Sequence, residues 1–151
     1  MEKMEVVEGL KYRTIDTLYD LFFTDDRFVA AIVLHPSDLS KMYSKHSFST
    51  ILIGGTINEA EIKALKLKVT EERREEFKDK TVDEILAMHK ANFEVKYRDV
   101  RSITLKKGLL TSFLKFLLMG PPETEISFWI DRKQIPDIEE TVRKFLPNRL
   151  K

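Results

Sequence analysis

The 151-residue sequence contains no cysteine, which excludes disulfides and thiolate metal sites and favours a reducing, cytoplasmic setting. No apolar run approaches the roughly 20 residues that span a bilayer, and Met1-Glu2-Lys3-Met4-Glu5 lacks the basic-then-apolar order of a signal peptide. The expectation is a soluble intracellular protein, cytoplasmic with at most a peripheral membrane contact. Asparagine and glutamine are scarce, limited to Asn58, Asn92, Asn148 and Gln134, while charged residues make up 34% of the chain. Dense charge with few heat-labile amides is the composition of a thermophile, where ion-pair networks stabilise more than they do at 25 °C. Only five glycines occur, and Gly54-Gly55 lacks the further glycines and the lysine of a phosphate loop, so a strand-end turn is expected there. His35, His46 and His89 are 11 and 43 residues apart and form none of the local metal spacings. Serines and His46 coexist in Ser44-Lys45-His46-Ser47-Phe48-Ser49, but without a nucleophile-elbow glycine pattern. No metal, cofactor or catalytic constellation is expected.

What is present is a chain long enough for one core, since about 150 residues bury roughly two-thirds of the surface exposed when unfolded; residues 1–151 are read as one domain. The net charge of +1 gives no global field for nucleic acid. Residues 96–119 nevertheless carry six basic residues and one acidic residue. That surplus lies in a stretch without an aromatic-and-basic stripe or a recognition helix, so nucleic acid is not expected.

Two β-favouring runs, Ile15 to Phe23 and Phe28 to Leu34, flank Thr24-Asp25-Asp26-Arg27 and predict a hairpin. The second run is nearly continuously apolar and should be covered on both faces. A short helix capped by Ser37 is expected after His35-Pro36, and another strand over Phe48 to Ile53. Thr56-Ile57-Asn58-Glu59 and Thr81-Val82-Asp83-Glu84 both resemble capping boxes. The first opens a long helix to about Lys78 with Ile62, Leu65 and Val69 on one face. The second opens a shorter helix with Ile85, Leu86 and His89 on one face. Together they make a helical insertion over about residues 56–91. The Glu71-Glu72-Arg73-Arg74-Glu75-Glu76 block within it reads as a solvated helix face. A β-meander follows: Phe93, Val95 and Tyr97 share one face, Ile103 and Leu105 point inward, Gly108 marks a turn, and Ser112 to Met119 is strongly apolar. Glu125 to Asp131 places Ile126, Phe128 and Ile130 on one side. The last helix starts at Pro136, with Ile135 as a hydrophobic staple, presents Ile138, Val142, Phe145 and Leu146 on one face, and ends at Pro147.

The turn Thr24-Asp25-Asp26-Arg27 resembles the T-D-x-R turn of bacterial and archaeal pleckstrin-homology-like domains, also called GRAM-like. Tyr97-Arg98-Asp99-Val100-Arg101-Ser102-Ile103 is similar to that family's Y-x-D-I-x-x-I entry to a central strand. A terminal helix plugging the sheet completes the resemblance, which covers residues 12–34 and 93–147. It implies an α+β fold: a strongly bent antiparallel sheet or partly open barrel of six or seven strands, closed by the C-terminal helix. The helical insertion departs from the ordinary domain. The resemblance further implies a non-enzymatic scaffold whose loops contact lipid headgroups, peptides or partner proteins, in some cases within homo-oligomers; fold alone does not fix the ligand.

Two surface features stand out as candidate contacts. The basic residues Lys96, Arg98, Arg101, Lys106, Lys107 and Lys115 either form a solvated face paired with acidic residues of the helical insertion, the expected case, or bind anionic lipid or another polyanion. Leu109 and Leu110 sit at a turn beside two lysines and could dip into a membrane interface. The run they open, through Met119, is expected instead to be a strand buried on both faces. Trp129, the only tryptophan, is expected beneath the inserted helices, with a partner-binding anchor as the alternative. The leading functional expectation is a binding or assembly module, a homo-oligomer or part of a larger complex, because an open sheet edge would otherwise invite uncontrolled pairing. The alternatives are an anionic-lipid adaptor acting through Lys106, Lys107 and the Leu109-Leu110 turn, and a hydrolase-like enzyme using Asp25, Asp26, Arg27 and a nearby histidine.

Overall fold

The computed structural model describes residues 4–41 and 59–151. The expected strand at Phe48–Ile53, the Gly54-Gly55 turn, the first capping box up to Asn58, and His46 with its neighbouring serines lie outside the described residues. Among the described residues there are seven strands: β1 (Glu5–Tyr12), β2 (Thr14–Phe23), β3 (Arg27–Leu34), β4 (Phe93–Lys96), β5 (Val100–Lys106), β6 (Ser112–Leu118) and β7 (Thr124–Ile130). The helices are α1 (described over residues 36–41), α2 (Glu59–Phe77), α3 (Val82–Ala87) and α4 (Ile135–Phe145). The strands form one antiparallel sheet in the order β4-β3-β2-β1-β7-β6-β5, so the architecture is α+β with an open seven-stranded sheet.

β1 was not expected, and its residues show why. Gly9 adopts φ +73°, a conformation open to glycine at little cost, and a bulge there lets Val7 and Leu10 both face the core. The same bulge breaks the period-2 alternation by which a strand is recognised. β1 joins the two halves of the sheet, pairing along its length with β2 and through Lys11 with Trp129 of β7.

The inner face carries the main core, where Leu21, Phe23, Phe28, Phe116 and Phe128 are fully buried. Helix α4 plugs it with the face expected from sequence, Ile138, Val142 and Leu146, together with Ile135 and partly buried Phe145. Ile135 lies in the first turn instead of preceding it, so the helix starts one residue earlier than Pro136. β3 is buried on both faces, as its continuous apolar run requires. Phe28, Ala30 and Ile32 enter the main core, while Val29, Ala31 and Val33 meet Phe77, Val82 and Ile85 of α2 and α3 in a second cluster.

The capping box at Thr81 is present in full: the Thr81 hydroxyl accepts from the Glu84 amide at 3.2 Å, and the Glu84 carboxylate accepts from the Thr81 amide at 3.1 Å. Those bonds hold the Glu84 carboxyl below its ordinary value, the Thr81 amide contributing most. Thr81→Ala is expected to cost about 1 kcal/mol in urea unfolding, because α3 seats Val82 and Ile85 in the second cluster. α3 ends at Ala87, so His89 lies beyond the helix and not on its face.

Both sheet edges are blunted. β4 is four residues long. At β5, the Ile103 amide donates to the Arg149 carbonyl at 2.8 Å and the Lys151 amide to the Ile103 carbonyl at 3.0 Å, laying the last residues alongside the strand. Short or covered edges resist uncontrolled pairing, so an open edge gives the assembly expectation no support here.

Candidate binding surface

The six basic residues of the meander do not form one patch. Lys96 and Arg98 border a cleft with Asp25 and Asp26 beside the 3-10 turn Tyr97–Asp99. Lys106 and Lys107 stand at the opposite end of β5, a strand of seven residues and hence about 20 Å long. Arg101 pairs with Glu123, and Lys115 Nζ lies 3.5 Å from Glu125. Arg101 and Lys115 are thus neutralised within the meander, and among the described residues none of the six pairs with the helical insertion. Lys106 and Lys107 make no ion pair with any described residue.

The cover given by α2 and α3 stops at the β1–β3 half of the sheet, which leaves the outer face of β5, β6 and β7 open. β6 is accordingly buried on one face only: Ser112, Leu114 and Phe116 are buried, while Phe113, Lys115 and Leu117 are half-buried. Trp129 is 37% exposed and is not beneath the inserted helices. Antiparallel register sets these side chains in a row, Lys106 opposite Phe113, Phe113 opposite Trp129, and Trp129 opposite Lys11. Directly opposed residues share a face, so two aromatics stand between two lysines. Lys115 Nζ also lies over the Phe113 ring, 5.8 Å from its centroid.

Next to Lys106 in this row begins the β5–β6 turn, where Leu109 and Leu110 are 99% and 98% exposed. The turn is tight at Gly108, where a Cβ would come within 1.8 Å of the Thr111 carbonyl oxygen. Any other residue would have to move the backbone, so glycine fixes how the two leucines are displayed. Two leucines almost wholly in solvent thus stand beside two lysines without an ion pair to any described residue and beside an aromatic row.

The other candidates resolve differently. Arg27 does not face Asp25 and Asp26; its guanidinium reaches Glu94 at 2.5 Å and Asp83 at 2.7 Å, and these bonds, Asp83 foremost, raise its pKa further. Tyr97 donates to the Thr24 carbonyl at 2.6 Å, and burial raises its hydroxyl pKa. Of the described histidines, His35 and His89 lie at the far end of β3 from the Thr24–Arg27 turn, so neither is gathered with Asp25 and Asp26. No family model, curated protein or solved structure matches this chain.

The Glu-Glu-Arg-Arg-Glu-Glu block divides by residue type. Its glutamates are exposed as expected, but both arginines turn inward. Arg74 reaches Asp20 in β2 with Nε at 2.7 Å and Nη2 at 2.8 Å, and also Glu8 at 2.8 Å. The hydrogen bond to Asp20 is the main cause of its raised pKa. Arg73 Nη2 bonds Asp38 of α1 at 2.6 Å. An apolar groove of about 400 Å³ opens beside Arg74, floored by Val6, Phe22 and Phe77. Among the described residues no group of three or more potential metal ligands is found, and no described helix is long and apolar enough to cross a membrane.

Proposed function

We propose that this protein is a non-catalytic binding module of pleckstrin-homology-like type that docks reversibly on anionic membrane surfaces through its β5–β6 end. The observation carrying this reading is the pair Leu109 and Leu110, held almost wholly in solvent between unpaired lysines and an aromatic row. Burying a leucine side chain contributes about 1.5–3 kcal/mol, and a lysine near an anionic surface about 1 kcal/mol. Two of each contribute about 5–8 kcal/mol, of which the cost of association leaves only a small surplus, and that suits weak, salt-sensitive and reversible attachment. An antiparallel sheet with a C-terminal helix in its inner face supports the pleckstrin-homology-like assignment.

A protein partner, including a second copy of the chain, is the other reading. The half-exposed outer face of Phe113, Leu117 and Trp129 favours it, since aromatics anchor interfaces.

Sedimentation with neutral and anionic vesicles, including ether-linked lipids, at low and moderate salt tests the proposal. Pelleting with anionic vesicles alone, reversed by salt, is expected. Trp129 is the only tryptophan and lies in the contacting row, so its emission should shift to the blue on binding. Absence of pelleting at low salt would remove the membrane reading, and a solution mass above 17.7 kDa would then favour self-association.

A further inference from the structure

The connection from α3 to β4, residues 88–92, ties the helical insertion to the sheet through a few hydrogen bonds, and one of its acceptors is titratable. β4 pairs with β3 only as far as Phe93 opposite Ala30. Beyond that point the Ile32 amide is satisfied by Asn92, whose Oδ1 accepts from it at 2.7 Å while its Nδ2 donates to the Ile85 carbonyl of α3 at 2.8 Å. The Tyr19 hydroxyl of β2 donates to the Ala91 carbonyl at 2.9 Å. Two residues, Ala91 and Asn92, thus fasten β2, β3 and α3 together. Their backbone is held in turn by His89: its carbonyl accepts from the Asn92 amide at 3.0 Å, and its ring Nδ1 accepts from the Ala91 amide at 2.9 Å. A backbone N–H can only donate, so Nδ1 carries a lone pair and the ring is neutral, with its proton on Nε2.

The surroundings of the ring oppose a second proton. Among the described residues the titratable and charged groups that face it are Arg73 of α2, His35 and Asp38 at the β3–α1 junction, and Lys90 beside it in the connection. The His35 ring lies 5.9 Å away between centroids. α1 begins at Pro36, so its N-cap is His35 and not Ser37. The Asp38 carboxylate accepts from the His35 amide at 2.9 Å, and His35 Nδ1 lies 3.0 Å from the Ser37 amide and 2.7 Å from the Ser37 hydroxyl. Asp38 is the one carboxylate of the group, and both its oxygens are engaged, one by the His35 amide and the other by Arg73 Nη2 at 2.6 Å. Two cations, or three when His35 is charged, stand against it.

We infer that His89 is an acid-operated latch between the helical insertion and the sheet: a proton on Nδ1 releases the Ala91 amide, sets a histidinium against Arg73 and Lys90, and loosens the ties of α3 to β2 and β3. The latch is independent of the β5–β6 membrane contact. Burial, then Arg73 and His35, hold the His89 pKa below its ordinary value of 6.5, with Asp38 opposing. Just below pH 6.5 the unfolded chain therefore binds more protons than the folded one. The stability that neutral His89 contributes is complete above that pH and is lost as pH falls through the folded pKa.

The test is NMR of the full chain, with the His89 C2–H signal assigned by its loss in His89→Asn. Asparagine is the informative replacement, because its side-chain oxygen can accept from the Ala91 amide in place of Nδ1 and does not titrate. The His89 signal is expected to titrate below pH 6.5. Between about pH 7.5 and about pH 5, protection of the Ala91 amide against hydrogen exchange, corrected for the intrinsic rate, should fall about fivefold or more, the effect of one lost hydrogen bond. Amides of α3 should follow, while those of β6 and β7 keep their protection. In His89→Asn the fall at Ala91 should be absent. A His89 midpoint at or above 6.5, Ala91 protection that does not change with pH, or a fall of equal size in His89→Asn each overturns the inference. Should His89→Asn not fold, Arg73→Gln, which removes a facing cation, should raise the His89 midpoint, and an unmoved midpoint overturns the inference as well.

Discussion

Reversing both tip charges, Lys106→Glu together with Lys107→Glu, is expected to weaken binding to anionic vesicles by about three orders of magnitude at low salt. Each lysine near an anionic surface contributes about 1 kcal/mol, and replacing attraction by equal repulsion doubles the change, to about 4 kcal/mol for the pair. At 1.4 kcal/mol per tenfold, that is roughly a thousandfold. The loss should shrink as salt rises, because exposed charges are screened over about 8–10 Å at physiological ionic strength. Stability should stay within about 0.5 kcal/mol of the parent, since both lysines are exposed and make no ion pair with a described residue. Leu109→Ser with Leu110→Ser should weaken binding at every salt concentration, because apolar insertion is not screened. If the lysine reversals sediment like the parent, the β5–β6 end is not the membrane contact.

The largest effect on stability is expected at Asp20, through a residue that touches no proposed ligand. Asp20 is 1% exposed and accepts three hydrogen bonds, from the Gly9 amide at 2.9 Å and from Arg74 at 2.7 and 2.8 Å. One carboxylate thus fixes the β1 bulge and fastens α2 to the sheet. Asp20→Ala is expected to lower unfolding free energy by about 3–5 kcal/mol, as removal of one partner from a buried pair does. Glu8 still reaches Arg74, which places the value toward the lower end. Replacing both partners, Asp20→Leu with Arg74→Met, should recover much of the loss, because two apolar groups leave no uncompensated charge. Urea unfolding of the three variants checks this; a loss below about 1 kcal/mol for Asp20→Ala would show that the pair is not what holds α2 in place.

Much of the fold was legible where local rules and tertiary packing agree. The Thr81 box, the α4 face and the alternation at Ile126, Phe128 and Ile130 all appear as their spacing implies. β1 was hidden because Gly9 inserts a bulge where a strand should alternate. The inward turn of Arg73 and Arg74 was hidden by their neighbours: four exposed glutamates make the block look solvated, and only the buried carboxylate of Asp20 and the cap residue Asp38 draw the arginines in. His35 was passed over as a cap because serine is the commoner choice, and its meeting with His89 depends on β3 and the α3–β4 connection ending side by side. The Leu109-Leu110 turn was visible as a candidate from sequence. That Trp129 is exposed and Phe113 only half-buried could not be read there, since alternation assigns a face without saying what covers it.

The helices between β3 and β4 look like a removable addition, a long excursion where a short turn would serve. They are not. Among the described residues Val29, Ala31 and Val33 are covered by Phe77, Val82 and Ile85, with partly buried Leu86 and Met88 packed beside them, and Arg27 of β3 is held by Asp83. A chain shortened by joining β3 directly to β4 would show water an unbroken aliphatic stripe in the middle of its sheet and would aggregate. The excursion is part of the minimal folding unit, so a smaller version of this protein would require β3 itself to be rewritten with every second residue polar.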